Sequence, residues 1–188
     1  MEHTQSTKKN ILTTYQLTLI AVMTAITCIL GPLSIPLPFS PVPISFTNLA
    51  IYFTVFVLGM KLSTVSCVIY LLIGLVGIPV FSGFSGGFAK LAGPTGGYLI
   101  GFIFLALIAG FFIERFPGKL NMAVIGMILG MAVCYLFGTV WLSRQLSVNF
   151  FAGLSIGVIP YLPGDAIKII IAALIGPTLR RAVSNLLQ

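Results

Sequence analysis

The chain has 188 residues, 58% of them hydrophobic and 7% charged, with a formal net charge of +7. A soluble domain carries about a quarter charged residues, so this composition excludes a water-soluble enzyme or binding module and describes an integral membrane protein. Lys and Arg stand singly or in pairs between apolar runs rather than on one polar face, which matches them to lipid headgroups and not to nucleic acid.

Residues 1–10 form a polar tail expected on the cytoplasmic side, and 11–181 form a single six-helix membrane domain. The first apolar segment, 11–30, is followed by no A-x-A cleavage signature and reads as a retained span. Ala21 and Ala25 within it make a small-xxx-small pattern that lets another helix approach closely. After the Pro-rich connection ILGPLSIPLPFSPVPIS come segments at 44–60 and 62–80, separated by Lys61. The Gly-rich connection PVFSGFSGGFAKLAGPTGG leads to segments at 95–113 and 121–142. The apolar stretch Phe150 to Leu162 is too short to cross a bilayer and reads as a short helix or re-entrant piece leading into Pro163 and a last segment at 164–179.

The fold class expected is therefore all-α integral membrane, six transmembrane helices with long outer loops. Lys8, Lys9, Lys61, Arg115, Lys119, Arg180 and Arg181 fall on one side, against Lys90 and Arg144 on the other, which makes both termini cytoplasmic and the location the cell membrane. Long Pro/Gly/Ser-rich connections on the outer side are expected to cover a pocket. No internal repeat of the kind that builds inverted-repeat transporters is visible.

Chemistry is constrained by what is missing. The chain has no Walker A loop, no second membrane carboxylate, no His within an apolar segment and no H-E-x-x-H, so neither a nucleotide site of its own nor an intramembrane protease can be assembled. The lone His3 is in the tail, Cys28, Cys67 and Cys134 read as buried small hydrophobes, and no metal, cofactor or enzymatic activity is expected. What stands out is Asp165 in LPGDAIKIIIAALIG, with Lys168 on the same helix face. A charged group in a bilayer costs about 2.5–3.5 kcal/mol on insertion scales, so it belongs in the protein interior, against a substrate or ion. The plainer readings are a first-turn acid stabilised by the helix dipole and a structural ion pair. In the glycine loop, Gly93, Gly96 and Gly97 can let backbone approach a ligand or take positive φ, while Pro94 and Thr95 open the next helix. Lys90 lies in the same loop. Phe81, Tyr98 and Tyr161 adjoin the outer loops and are candidates for stacking on a ligand.

With LIGLVGIPVFSGFSGG, LAGPTGGYLIGF and PGDAIK taken together, the chain resembles the BioY family, the biotin-binding S components of energy-coupling factor transporters. The resemblance runs from the first helix to Arg181. It implies a membrane subunit that captures biotin and delivers it together with a transmembrane coupling subunit and two ATPase subunits, and it implies that Ala21 and Ala25 form the docking face. Where the family often has Gln after the P-V-P-I-[TS] turn, this chain has Thr47 and then Asn48, so Asn48 is the candidate substitute. Asp165 can accept from a ureido N–H, Lys168 can serve the ureido oxygen or the carboxylate, and Lys90 competes for the carboxylate. The alternatives are a self-sufficient secondary transporter of a small anion with Asp165 as proton carrier, and a structural membrane protein.

Overall fold

The computed structural model describes residues 12–185; the tail bearing Glu2, His3, Lys8 and Lys9 lies outside the described residues. Helix α1, Thr14–Leu30, opens with a capping box in which Thr13 and Gln16 satisfy each other's backbone amides. One face of α1 packs through Ile20, Met23, Thr24 and Thr27. The Thr24 hydroxyl is 2.8 Å from that of Ser66.

The Pro-rich connection is not irregular, as an all-α reading supposes. It folds into an antiparallel hairpin, β1 at Ser34–Leu37 and β2 at Ser40–Ser45, with Ser34 opposite Ser45 and Ile35 opposite Ile44. Proline forbids helix interiors but is compatible with edge strands, and a two-stranded ribbon consists of edges alone.

The two segments expected at 44–60 and 62–80 appear as one element, α2 at Thr47–Leu75, broken at Gly59 with φ 72°. An unbroken helix would hold residues 47 and 70 about 34 Å apart, yet the Tyr70 hydroxyl lies beside the Thr47 side chain. The chain therefore reverses at Gly59 into two antiparallel arms. Only glycine takes that φ freely, and Glu114 fills the space a Cβ would need, its Oε1 accepting from the Met60 amide at 2.8 Å. The second arm ends at Leu75, short of the expected 80, and the chain passes through a turn into the five-residue α3, Phe88–Ala92.

Helices α4, Gly96–Arg115, and α5, Leu120–Leu146, pack along their length on a seam of glycines: Gly97 and Gly101 meet Trp141 and Cys134, while Gly126 and Gly130 meet Phe112 and Leu105. The 150–162 stretch is a short helix, α6 at Phe150–Gly157, followed by a single 3-10 turn at Ile159–Tyr161. Helix α7, Leu162–Asn185, starts with Pro163 in its first turn, where the missing N–H has no intrahelical partner to lose.

Four helical stretches, Thr47–Leu75, Gly96–Arg115, Leu120–Leu146 and Phe150–Ser184, are long and apolar enough to cross a membrane. The core runs between the α2 arms, α4, α5 and α7, through Tyr52, Val55, Tyr70, Leu105, Met127 and Ala172. Large apolar side chains such as Leu17, Leu72, Phe111 and Leu174 point outward on every long helix, as lipid requires and water does not permit over so large a surface. Cys67 and Cys134 are buried, and all three cysteines are free.

Candidate functional site

The first turn of α7, the start of α2, β2 and the middle of α5 converge on one pocket. The cavity among their side chains is about 60 Å³, opening into about 580 Å³ of space counted out to the mouth. Asp165 and Lys168 line it, and each is only 6% exposed.

The polar end is a closed network. Asp165 Oδ1 accepts from Lys168 Nζ at 2.9 Å and from Asn48 Nδ2 at 2.7 Å, and Oδ2 accepts from the Tyr135 hydroxyl. Lys168 Nζ also donates to the Ser45 carbonyl at 2.6 Å and to Asn48 Oδ1 at 3.1 Å. Asn48 Oδ1 additionally accepts from the Leu49 amide at 3.1 Å, so two donors fix the orientation of this side-chain amide.

Counting donors and lone pairs shows what the network leaves over. An ammonium has three protons, and Lys168 uses all three on protein oxygens. A carboxylate has about four acceptor positions, of which three are taken, leaving one on Oδ2. Asn48 Nδ2 carries two protons and gives one to Asp165. The pocket thus presents an acceptor on Asp165 beside a donor on Asn48, held by a lysine that has nothing further to donate.

Of the residues singled out from sequence, Asn48, Thr95, Tyr98, Tyr161, Asp165 and Lys168 line this pocket. Tyr98 donates to the Gly157 carbonyl at 3.0 Å, and the Tyr161 hydroxyl joins Ser40 Oγ at 2.8 Å and the Val42 carbonyl. These tyrosines tie α4 and the turn before α7 to their surroundings while their rings face the cavity.

The remaining candidates are elsewhere. Phe81 is fully buried, edge-on to Tyr70 with centroids 5.5 Å apart and its ring against Gly74, so it belongs to the core and not to the pocket wall. Gly96 and Gly97 do not take positive φ; they let α4 press on Leu91 and on Trp141 and Phe137 of α5. Gly93 lends its carbonyl to Trp141 Nε1 at 2.9 Å. The positive φ values of the loop fall at Gly83, Phe84 and Gly87. Lys90 lines an adjoining outer pocket that shares Pro43 and Ser82 with the main one, and burial holds its ammonium below the usual lysine range.

Tyr135 was not visible as a candidate, although the argument that marks Asp165 applies to it: a polar group in the middle of an apolar run needs a partner. Met131, Cys134 and Phe102, also in the wall, carry no sequence signal that separates them from other core residues.

Long apolar helices around a pocket that holds a buried Asp165–Lys168 pair define a membrane-embedded ligand-binding protein. The model of the BioY family matches residues 3–185, and the chain belongs to that family. It is 35% identical to "Biotin transporter BioY2" of Lactococcus lactis subsp. cremoris over 91% of this chain and 93% of the relative. It is 36% identical to "Biotin transporter BioY" of Rhizobium etli over 88% and 92% of the two chains. Among solved structures it is similar to a 2.1 Å crystal structure of the S-component for biotin from an ECF-type ABC transporter, with 35% identity, a TM-score of 0.84, and 91% and 95% of the two chains covered.

Proposed function

We propose that this protein is the biotin-binding S component of an energy-coupling factor transporter, taking up biotin with a transmembrane coupling subunit and two ATPases. The observation that carries the reading is the unused acceptor on Asp165 next to the unused donor on Asn48. A cyclic urea presents an N–H beside a C=O along one edge, so a ureido ring meets that pair with one hydrogen bond in each direction. The apolar wall of Leu99, Phe102 and Met131 suits a thiophane ring and the first methylenes of the tail. Because Lys168 has no proton to spare, the tail carboxylate is assigned to Lys90, across the wall that the two pockets share.

The same reading makes α1, the two arms of α2, α4, α5 and α7 six crossings. Lys61, Arg115, Lys119, Arg180 and Arg181 then gather at one end and Lys90 and Arg144 at the other, which supports cytoplasmic termini and a cell-membrane location.

Calorimetry on monodisperse protein tests the site. Losing a charged hydrogen-bonding partner in a buried site costs about 2–5 kcal/mol, so Asp165→Asn and Lys168→Ala each weaken biotin binding roughly 30-fold or more. Lys168→Ala acts indirectly, by leaving Asp165 without its counter-ion. Wild-type affinity in both variants would sink the assignment.

A further inference from the structure

A second charged pocket lies at the opposite end of the bundle, where the α4–α5 turn meets the C-terminal part of α7, with a cavity of about 260 Å³. Lys119, Arg180 and Arg181 supply its charge, and Phe116, Ala123 and Pro177 part of its apolar wall. Among the described residues the only ion pair is Lys168 with Asp165, so no described carboxylate meets these three cations. Glu114, the acid closest to them in sequence, is committed to the Met60 amide. Arg180 donates to the Ile113 carbonyl at 3.3 Å, which holds the half-buried side chain in place with donors left over. Lys119 is the N-cap of the 27-residue α5, and no side chain caps that end, so first-turn amides add to the attraction for an anion.

We infer that this pocket binds the phosphate of an anionic phospholipid. Three cations without a carboxylate partner among the described residues, together with a helix N-terminus, fit a phosphodiester. The apolar half of the wall, at the end of helices that are otherwise coated with outward-facing apolar side chains, fits the start of the acyl chains and has no use for a soluble phosphate. The site is independent of the biotin reading, since it shares no residue with the first pocket.

The test uses the full chain in mild detergent, with bound lipid counted by native mass spectrometry while phosphatidylglycerol and phosphatidylcholine compete. Each cation near an anionic headgroup contributes roughly 5-fold, so wild type prefers phosphatidylglycerol on the order of 100-fold. Lys119→Gln alone loses about 5-fold of that preference, and Lys119→Gln/Arg180→Gln/Arg181→Gln brings it close to parity. Lys61→Gln, a cation of the same end but outside the pocket, keeps the wild-type preference. The inference is overturned if the triple variant retains it, whether or not its assembly with a protein partner changes, or if Lys61→Gln loses as much as Lys119→Gln, which would mean a diffuse surface potential. Displacement of the lipid by millimolar inorganic phosphate would also overturn it, in favour of a soluble phosphate ligand.

Discussion

Asp165 is accommodated among apolar helices because three side chains from three directions hydrogen-bond it: Lys168 from its own helix, Asn48 from α2 and Tyr135 from α5. Its place in the first turn of α7 adds the helix dipole, so the plainer dipole and ion-pair readings are both true and both incomplete. Tyr135 is the informative member to remove. A hydrogen bond to a charged group contributes about 1.5–3 kcal/mol, and Tyr135→Phe strips Oδ2 of its only donor among the described residues while changing little volume. Thermal or denaturant unfolding of Tyr135→Phe without ligand should show a loss of that size. Biotin should restore part of it if the ureido N–H takes the vacant position on Oδ2, and stability unchanged from wild type would mean that the Tyr135 contact contributes nothing.

At the level of elements, the glycines of the outer connection act chiefly through packing. Gly96 and Gly97 were expected to shape a loop over the ligand; in the fold they lie in the first turn of α4, with no room for a Cβ against Leu91 and Trp141. Overpacking a filled seam costs typically 1–3 kcal/mol, and here the obstruction includes backbone, which yields less readily than a side chain. Gly97→Val should therefore lower the midpoint of unfolding in detergent before it changes ligand affinity at permissive temperature. A variant as stable as wild type but deficient in binding would return these glycines to the ligand site. The reversal at Gly59 is the other element-scale device, since a one-residue turn lets the two arms of α2 pack directly and places Asn48 at the pocket end of the first arm.

For the whole molecule, α1 is the helix with most to reveal about partners. Ile20, Met23, Thr24 and Thr27 face α2, whereas Leu17, Ala21 and Ala25 are exposed and touch no other part of the bundle closely enough to be covered. Small residues permit close backbone approach in lipid, where association depends on packing. If that stripe docks the coupling subunit, Ala21→Trp/Ala25→Trp should leave biotin affinity near wild type while co-purification with the coupling subunit and ATP-driven uptake are lost. Full uptake by the double variant in reconstituted vesicles would put the docking face elsewhere, and uptake with no partner present would favour a self-sufficient transporter.

Membrane residence, the approximate helix positions and the placement of Asp165 and Lys168 in the protein interior were determined by the sequence alone, because hydropathy and the cost of a buried charge are local properties that a run of residues displays without its neighbours. Asn48 was reachable only through the family resemblance, since an amide next to a Pro-rich turn has no distinctive local signature. Which partners saturate Asp165, that Lys168 has no proton to spare, that Phe81 is core and that Gly97 is a packing residue were decided by the tertiary structure. Each depends on groups far apart in sequence: Tyr135 lies 30 positions from Asp165 and Asn48 lies 117 from it. Hydrogen-bond valence and steric room are settled only when those groups meet.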